Sequence, residues 1–267
     1  MSPAADMSDI NLKIYKKAGT VGWYAQQSGL FPDEEGALAL IQAHWKGGDI
    51  LDIGIGGGRT SEALEPLAKR YVGVDYSAEM VQAAKQRFPA MDLRKCDARD
   101  LSEFGDKSFD FVFFSFNGID AVNHADRLQV LSEVRRVLRP GGVFLFNSHN
   151  RDWVDNDKAW RDLFSLAAAR SPVAALKAVA RIPMRIGNYM RTLRDQEETE
   201  AYAVKPDAGN DFASPHYYAS APEVMHQLRA AGYVPLHLVD DKGHEVPQGI
   251  ERSSATLHYV AARSLES

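Results

Sequence analysis

The segment Asp49-Ile-Leu-Asp-Ile-Gly-Ile-Gly-Gly-Gly-Arg-Thr60 constrains this chain more than any other. Its first five residues fit a compact apolar strand. Glycines Gly54, Gly56, Gly57 and Gly58 permit a tight turn and let backbone amides approach a ligand closely. Thr60 to Arg70 then reads as a helix, with Ala63, Leu64, Leu67 and Ala68 on one face. The same alternation continues. Tyr71 to Asp75 is a second strand, and Ser77 can cap a helix running to Phe88. Asp92 to Asp97 and Phe109 to Phe114 follow as strands. Leu128, Leu131, Val134 and Leu138 mark a helix that Arg139-Pro-Gly-Gly142 ends, and Val143 to Phe146 is a fifth strand.

After a break the grammar resumes. Ser220 and Glu223 suit a capping box for a helix Pro222 to Ala231, followed by strands Tyr233 to Val239 and Ala255 to Ala262. Repeated strand–helix–strand order implies a parallel sheet covered on both faces. We therefore expect a doubly wound, mostly parallel, seven-stranded α/β sheet with helices on both faces. Residues 49–150 and 217–267 would form this core. Residues 1–48, with Trp23, Tyr24 and Trp45, would form a helical flap. Residues 151–216, which do not continue the alternation, read as a lid inserted after the fifth strand.

Composition narrows the function class. With 267 residues, 45% apolar and 25% charged, the chain suits one soluble domain carrying an insertion. A net charge of −5 argues against a protein that coats nucleic acid. The single cysteine, Cys96, rules out an intramolecular disulfide and a Cys-pair zinc site. No run approaches the roughly 20 apolar residues of a membrane span, and the charged start lacks a secretory block, so a cytoplasmic protein is expected.

The glycine turn selects among nucleotide ligands. A dinucleotide fold wants glycine at the sixth position from Gly54, where Arg59 stands, and a P-loop wants a lysine that Gly58-Arg59-Thr60 lacks. Asp52-x-Gly54-x-Gly56-x-Gly58 instead resembles the first motif of the class I S-adenosylmethionine-dependent methyltransferases. Val74-Asp75 at the end of the second strand, Cys96-Asp97-Ala98, Ser115-Phe-Asn-Gly-Ile119, and Leu138-Arg-Pro-Gly-Gly142 before the fifth strand add to the resemblance. Ala255 to Ala262 could supply the reversed seventh strand of that family.

The resemblance implies S-adenosylmethionine as cofactor and S-adenosylhomocysteine as product. Asp75 would take the ribose hydroxyls, and Asp97 with Ala98 would meet the adenine. Asp52 and the amides of Gly54, Gly56 and Gly58 would lie beside the methionine end, with Arg59 on its carboxylate. Tyr24 or Tyr15 would close the pocket, and Tyr76, Ser115 and Asn117 complete the candidate cofactor set.

Ligands of an open parallel sheet sit outside the carboxyl ends of its strands. That rule makes Ser115, Phe116, Asn117 and Asp120, and Asn147, Ser148, His149, Asn150 and Arg151, candidates for the active-site wall. His149 is the first choice for a general base, needed if the methyl acceptor is a hydroxyl; His124 and His216 are the alternatives. Asn117, His149, Asn150, Arg151, Tyr217 and Tyr218 are the candidate substrate contacts. The acceptor is read as a small molecule taking the methyl on nitrogen or oxygen. Between Lys158 and Arg194 eight basic residues, Arg181 and Arg185 among them, face the single acid Asp162. Such a basic amphipathic stretch suits a lid over an anionic substrate, a membrane surface, or a second subunit in a homodimer. Asp152, Asp155 and Asp157 share one loop without a partner cluster, so no metal is expected. The rival readings are an NAD-dependent oxidoreductase and a non-catalytic nucleotide-binding module.

Overall fold

The computed structural model describes residues 7–165 and 171–265, without the side chains of residues 157–160 and 195. Asp157 and Lys158, named above, therefore lie outside the described side chains, and Arg170 outside the described residues. The first five strands are β1 (Asp49–Ile53), β2 (Arg70–Asp75), β3 (Leu93–Lys95), β4 (Phe109–Phe114) and β5 (Leu138–Asn150). They are followed by β6 (Glu197–Glu198), β7 (Tyr202–Pro206), β8 (Pro215–Ala219), β9 (Tyr233–Val239) and β10 (Thr256–Arg263). The order β3-β2-β1-β4-β5 is parallel throughout, and β10 and then β9 extend it antiparallel from β5. These seven strands are the expected sheet.

The strands are apolar because both faces are covered. Alternation sends Leu51, Ile53, Val112, Phe114, Phe144 and Phe146 to one face, against Val130, Leu131 and Val134 of the helix His124–Val137. Ile50, Phe111, Phe113, Val143 and Leu145 go to the other, against Val81 and Ala84 of the helix Ala78–Arg87 and Ala37 of the helix Pro32–Leu40. Each large side chain so buried contributes about 1.5–3 kcal/mol. Ser77, Asn123 and Ser220 cap their helices by accepting the amides of Met80, Asp126 and Glu223.

The structure departs from the sequence reading in three places. The helix expected over Thr60 to Arg70 shrinks to Ser61–Leu64 and a 3₁₀ turn Glu65–Leu67, because Pro66 cannot donate to the preceding turn. β5 starts early, at Leu138, and takes in the Pro-Gly-Gly turn; its register with β4 slips between Phe109 and Phe111. The third departure matters most for function. The stretch expected as an inserted lid, 151–216, also supplies strands, because β6 and β7 with β8 form an antiparallel meander that joins the sheet.

β5 is long enough to serve two neighbours in succession. Its residues up to Phe146 pair with β4, and His149 and Asn150 pair with Tyr218 and Ala219 of β8. Because β10 holds the opposite edge of His149, through Thr256, β8 occupies the β4 edge beyond the point where β4 stops. The meander thus stands over the carboxyl ends of the central strands. The N-terminal residues form helices Met7–Tyr15, Ala18–Ala25, Pro32–Leu40 and Gln42–Trp45. Among the described residues no helix is long and apolar enough to cross a membrane.

Candidate active site

The glycine turn opens a cleft at the ends of β1, β2 and β4. Gly54 and Gly56 have φ of +68° and +53°, the left-handed region that favours glycine. A Cβ would also sit 2.7 Å from the Phe114 ring at Gly54 and 3.1 Å from the Tyr24 ring at Gly56. Asp75 lies where β2 ends. Its two carboxyl oxygens accept the amides of Gly56 (2.9 Å) and Ser77 (2.8 Å). Burial pushes this carboxyl up to about 6, against the pull of those two amides. A ligand that donated hydroxyls to it would favour the ionised form.

The cleft holds about 740 Å³ of space, part of it open to solvent, between Tyr15, Tyr24, Asp75, Tyr76, Asp97 and Phe116. Ala98 and Ser115 also line it. Three tyrosines crowd one end, with Tyr15 edge-on to Tyr24 at 6.0 Å and to Tyr76 at 6.1 Å. The buried Tyr76 hydroxyl and the Asn117 Oδ1 have no hydrogen-bond partner in the protein. Aromatic faces suit a cation, and the buried carboxylate and orphaned polar atoms suit a hydroxylated ring. The residues present fit a cationic, ribose-bearing cofactor.

Three expected cofactor residues face elsewhere. Asp52 is buried beneath the turn, where one oxygen accepts the hydroxyls of Thr60 (2.6 Å) and Tyr71 (2.7 Å). Gly58, at φ +86°, packs on Phe88 and Ala84. Arg59 donates to both oxygens of the buried Glu34 at 2.6 Å, to Ser115 Oγ and to the Gly29 carbonyl, under the Phe31 ring. Its charge is already matched inside the protein.

The second half of the site is built on the ends of β4, β5 and β8. His149 Nδ1 lies 2.8 Å from Asp120 Oδ2, which also accepts the His149 amide at 2.7 Å. The carboxylate therefore accepts a hydrogen bond from Nδ1–H and leaves Nε2 as the acceptor nitrogen, 3.3 Å from Asn117 Nδ2. Arg127, fully buried, donates to Asp120 Oδ1 at 2.5 Å, and Ser148 donates to the same oxygen at 2.7 Å. Burial alone would raise Asp120, but the His149 hydrogen bond and the Arg127 charge hold it below the ordinary carboxylate value. Burial pulls His149 down, yet Asp120 and Asp207 outweigh it and leave the imidazole above its usual value.

Asp207 was not singled out by the sequence reading, where Pro206-Asp-Ala-Gly209 looks like an ordinary turn. It accepts the Tyr218 hydroxyl at 2.8 Å and lies 3.8 Å from His149 Nε2 and 3.9 Å from His216. Burial lowers His216, against the opposing pull of Asp207. Burial raises Tyr15 and Tyr24, and the charges of Asp75 and Asp207 add to it, so both tyrosines lie within reach of the two carboxylates. Tyr218 joins that cluster, its ring 4.7 Å from His149.

The other expected substrate contacts are engaged structurally. Asn150 donates to the carbonyls of Glu251 and Ser254, and Arg151 to those of Thr199 and Glu200. Tyr217 is buried, its hydroxyl between His124 Nδ1 and Gln227 Nε2. Arg181 and Arg185 bind Asp211 rather than the cleft. Among the described residues no group of three His, Cys, Asp or Glu could hold a metal ion.

Residues 51–146 match the family described as a methyltransferase domain. They form a class I S-adenosylmethionine-dependent methyltransferase domain. The chain is 32% identical over 133 residues to an S-adenosylmethionine-dependent methyltransferase of Mycolicibacterium smegmatis, covering 49% of this chain and 50% of that protein. It is 29% identical over 191 residues to a demethylmenaquinone methyltransferase of Clavibacter sepedonicus, covering 70% and 71%. The match thus spans about half the length of the first relative. Among solved structures, the Burkholderia thailandensis 1,6-didemethyltoxoflavin-N1-methyltransferase superposes with a TM-score of 0.59 at 14% identity, covering 99% of this chain and 92% of that one. This likeness is one of fold. The methyltransferase domain contributes the glycine turn, Asp75 and Asp97, whereas β8, His216 and Asp207 lie outside the matched residues.

Proposed function

We propose that this chain transfers a methyl group to an oxygen or nitrogen of a small molecule, with His149 as general base and Asp120 as its positioning residue. The 2.8 Å contact between Asp120 Oδ2 and His149 Nδ1 carries this reading, because it makes Nε2, 3.3 Å from Asn117 Nδ2, the nitrogen able to accept a proton. S-adenosylmethionine, when bound, supplies an electrophilic methyl group on a sulfonium. Asp75 would hold the ribose hydroxyls, and Asp97 and Ala98, which line the cleft, would meet the adenine. Tyr15, Tyr24 and Tyr76 would present their rings to the cationic end and keep water out. Tyr218 and Asn117 would bracket the acceptor beside His149, where correct placement supplies much of the rate.

The names of two of the similar proteins, which act on demethylmenaquinone and on 1,6-didemethyltoxoflavin, favour a ring-bearing acceptor. An acidic acceptor is disfavoured, since Asp75 lines the cleft and Asp207 lies beside His149, while Arg181 and Arg185 are turned to Asp211 and Arg99 in the cleft wall is paired with Asp97. The nicotinamide reading is disfavoured by Arg59, which stands where a dinucleotide turn wants its third glycine.

Calorimetric titration with S-adenosylmethionine, S-adenosylhomocysteine and NAD, on the wild type and on Asp75→Ala, tests the cofactor. Micromolar binding of the first two, lost in the variant and absent for NAD, is the expected result. Binding of NAD alone would overturn the proposal. A panel of phenolic and heterocyclic acceptors, assayed with His149→Gln alongside, then tests the base.

A further inference from the structure

The helix Pro172–Thr192 has one side that nothing in the described structure covers. It holds to the body of the protein along a narrow stripe. Arg185 and Asn188 bind Asp211, Thr192 donates to the Phe212 carbonyl, and Tyr189 packs edge-on against Phe212 at 5.6 Å. Only Thr192 of its 21 residues is buried. Outside that stripe Val173, Leu176, Val179, Met184, Ile186 and Met190 are all exposed, Leu176 by 71% and Val173 by 64%.

At about 100° per residue these six side chains fall within one arc of roughly 160°. Lys177 and Arg191, both exposed, stand along one margin of that arc, and Arg181 beyond them is held by Asp211. The helix contains no aspartate or glutamate. An apolar face bordered only by cations is unfavourable in water and matches a layer whose surface is anionic and whose interior is apolar. A helix with no acid has nothing to set against the basic flank of a second copy of itself. It is also interrupted by Pro183 and far too basic to cross a bilayer, which leaves it lying in the plane of the interface.

We propose that the helix Pro172–Thr192 is a docking surface for an anionic lipid bilayer, with its apolar arc inserted among the acyl chains and Lys177 and Arg191 at the headgroups. This does not depend on the methyl-transfer reading. The geometry has a consequence for the site, because the loop that anchors the helix, through Asp211, also carries Asp207 to 3.8 Å from His149. A protein so docked would present the cleft to acceptors dissolved in the lipid.

Vesicle co-sedimentation of the full chain tests the proposal, using phosphatidylcholine vesicles with and without phosphatidylglycerol. Three proteins are compared: wild type, Leu176→Asp/Met190→Asp and Lys177→Glu/Arg191→Glu. None of the four positions touches the cleft. The wild type should bind anionic vesicles at least tenfold more tightly than neutral ones, and less tightly in high salt. Each double variant should lose tenfold or more, since each basic residue near a charged bilayer is worth a factor of several. Circular dichroism and S-adenosylmethionine affinity should be unchanged, showing that both variants are folded. Equal, weak binding of all three proteins to both vesicles would overturn the proposal. So would a concentration-dependent dimer, seen by light scattering, that the apolar variant abolishes, because the face would then belong to a second copy.

Discussion

Arg59 grips Glu34 with both terminal nitrogens at 2.6 Å, and Ser115 closes the group at 2.5 Å from the same carboxylate. The pair ties the N-terminal helix Pro32–Leu40 to the residue that follows the glycine turn. It therefore fixes where the turn lies relative to the aromatic wall that helix Ala18–Ala25 brings with it.

Glu34→Ala leaves a guanidinium that is about nine-tenths buried without its counter-charge. We expect a loss of about 3–5 kcal/mol, as when one partner of a buried ion pair is removed. Glu34→Ala/Arg59→Met should recover much of that loss, because no buried charge is stranded. Urea denaturation of the three proteins measures both quantities. A loss below about 1 kcal/mol in the single variant would mean that water reaches Arg59 and the pair is not a structural clamp.

Asp52 makes the stability of the unliganded protein depend on pH. Burial pushes its carboxyl up to about 7, even though Thr60 and Tyr71 donate hydroxyls to it. The folded state thus holds this proton more tightly than the unfolded chain. The stabilisation is complete below the unfolded value near 4 and is lost as pH rises toward 7, on the order of 2–4 kcal/mol. Asp52→Asn should melt close to the wild type just below pH 4 and several degrees above it at pH 8. Parallel melting curves at both pH values would show that Asp52 is ionised in the fold at no cost.

Much of this architecture was legible because its signals are local. The alternating strands, the turn Gly54–Gly58, the caps Ser77 and Ser220, and Asp75 at a strand end each sit within a few residues of the pattern that reveals them. What escaped depends on partners distant in sequence. Nothing near Arg59 announces Glu34, so its charge was assigned to the cofactor. Nothing near Asp207 distinguishes it from a turn residue. β8 pairs with β5 over only His149 and Asn150, and β7 ends in Lys205-Pro206, too short and polar to stand out as strands. Asp120 and His149 were visible as residues after strands, but their contact comes from the sheet register.

Gly57 shows how closely the N-terminal helices press on the turn. A Cβ there would lie 2.5 Å from Ala25 Cα and 2.6 Å from its amide nitrogen, both backbone atoms. Gly57→Ala must therefore displace helix Ala18–Ala25, which carries Tyr24 into the cleft. The expected stability loss is about 1–3 kcal/mol, with S-adenosylmethionine affinity reduced at least tenfold as the aromatic wall moves away. Calorimetry on a variant whose far-ultraviolet circular dichroism matches the wild type separates the two effects. An unchanged affinity would remove Tyr24 from the cofactor pocket.

The His149 cluster predicts the shape of the pH–rate profile. A base must be neutral to accept a proton, and His149 is held above its ordinary value because Asp120 and Asp207 oppose the effect of burial. kcat/KM for a hydroxyl acceptor should therefore rise with pH through a limb lying above the usual histidine value near 6.5. His149→Gln should lose about 10²–10⁴ in rate and abolish that limb while leaving S-adenosylmethionine affinity intact. Asp120→Asn weakens the support of the imidazolium, so the limb should move to lower pH as the rate falls. Because Asp120→Asn also strands the charge of the buried Arg127, Asp207→Asn supplies the cleaner arm. It removes the second negative charge without disturbing the Asp120–Arg127 pair, and it too should shift the limb downward, by less. A limb unmoved in both aspartate variants, or His149→Gln with wild-type rates, would show that the acceptor loses its proton without help from this cluster.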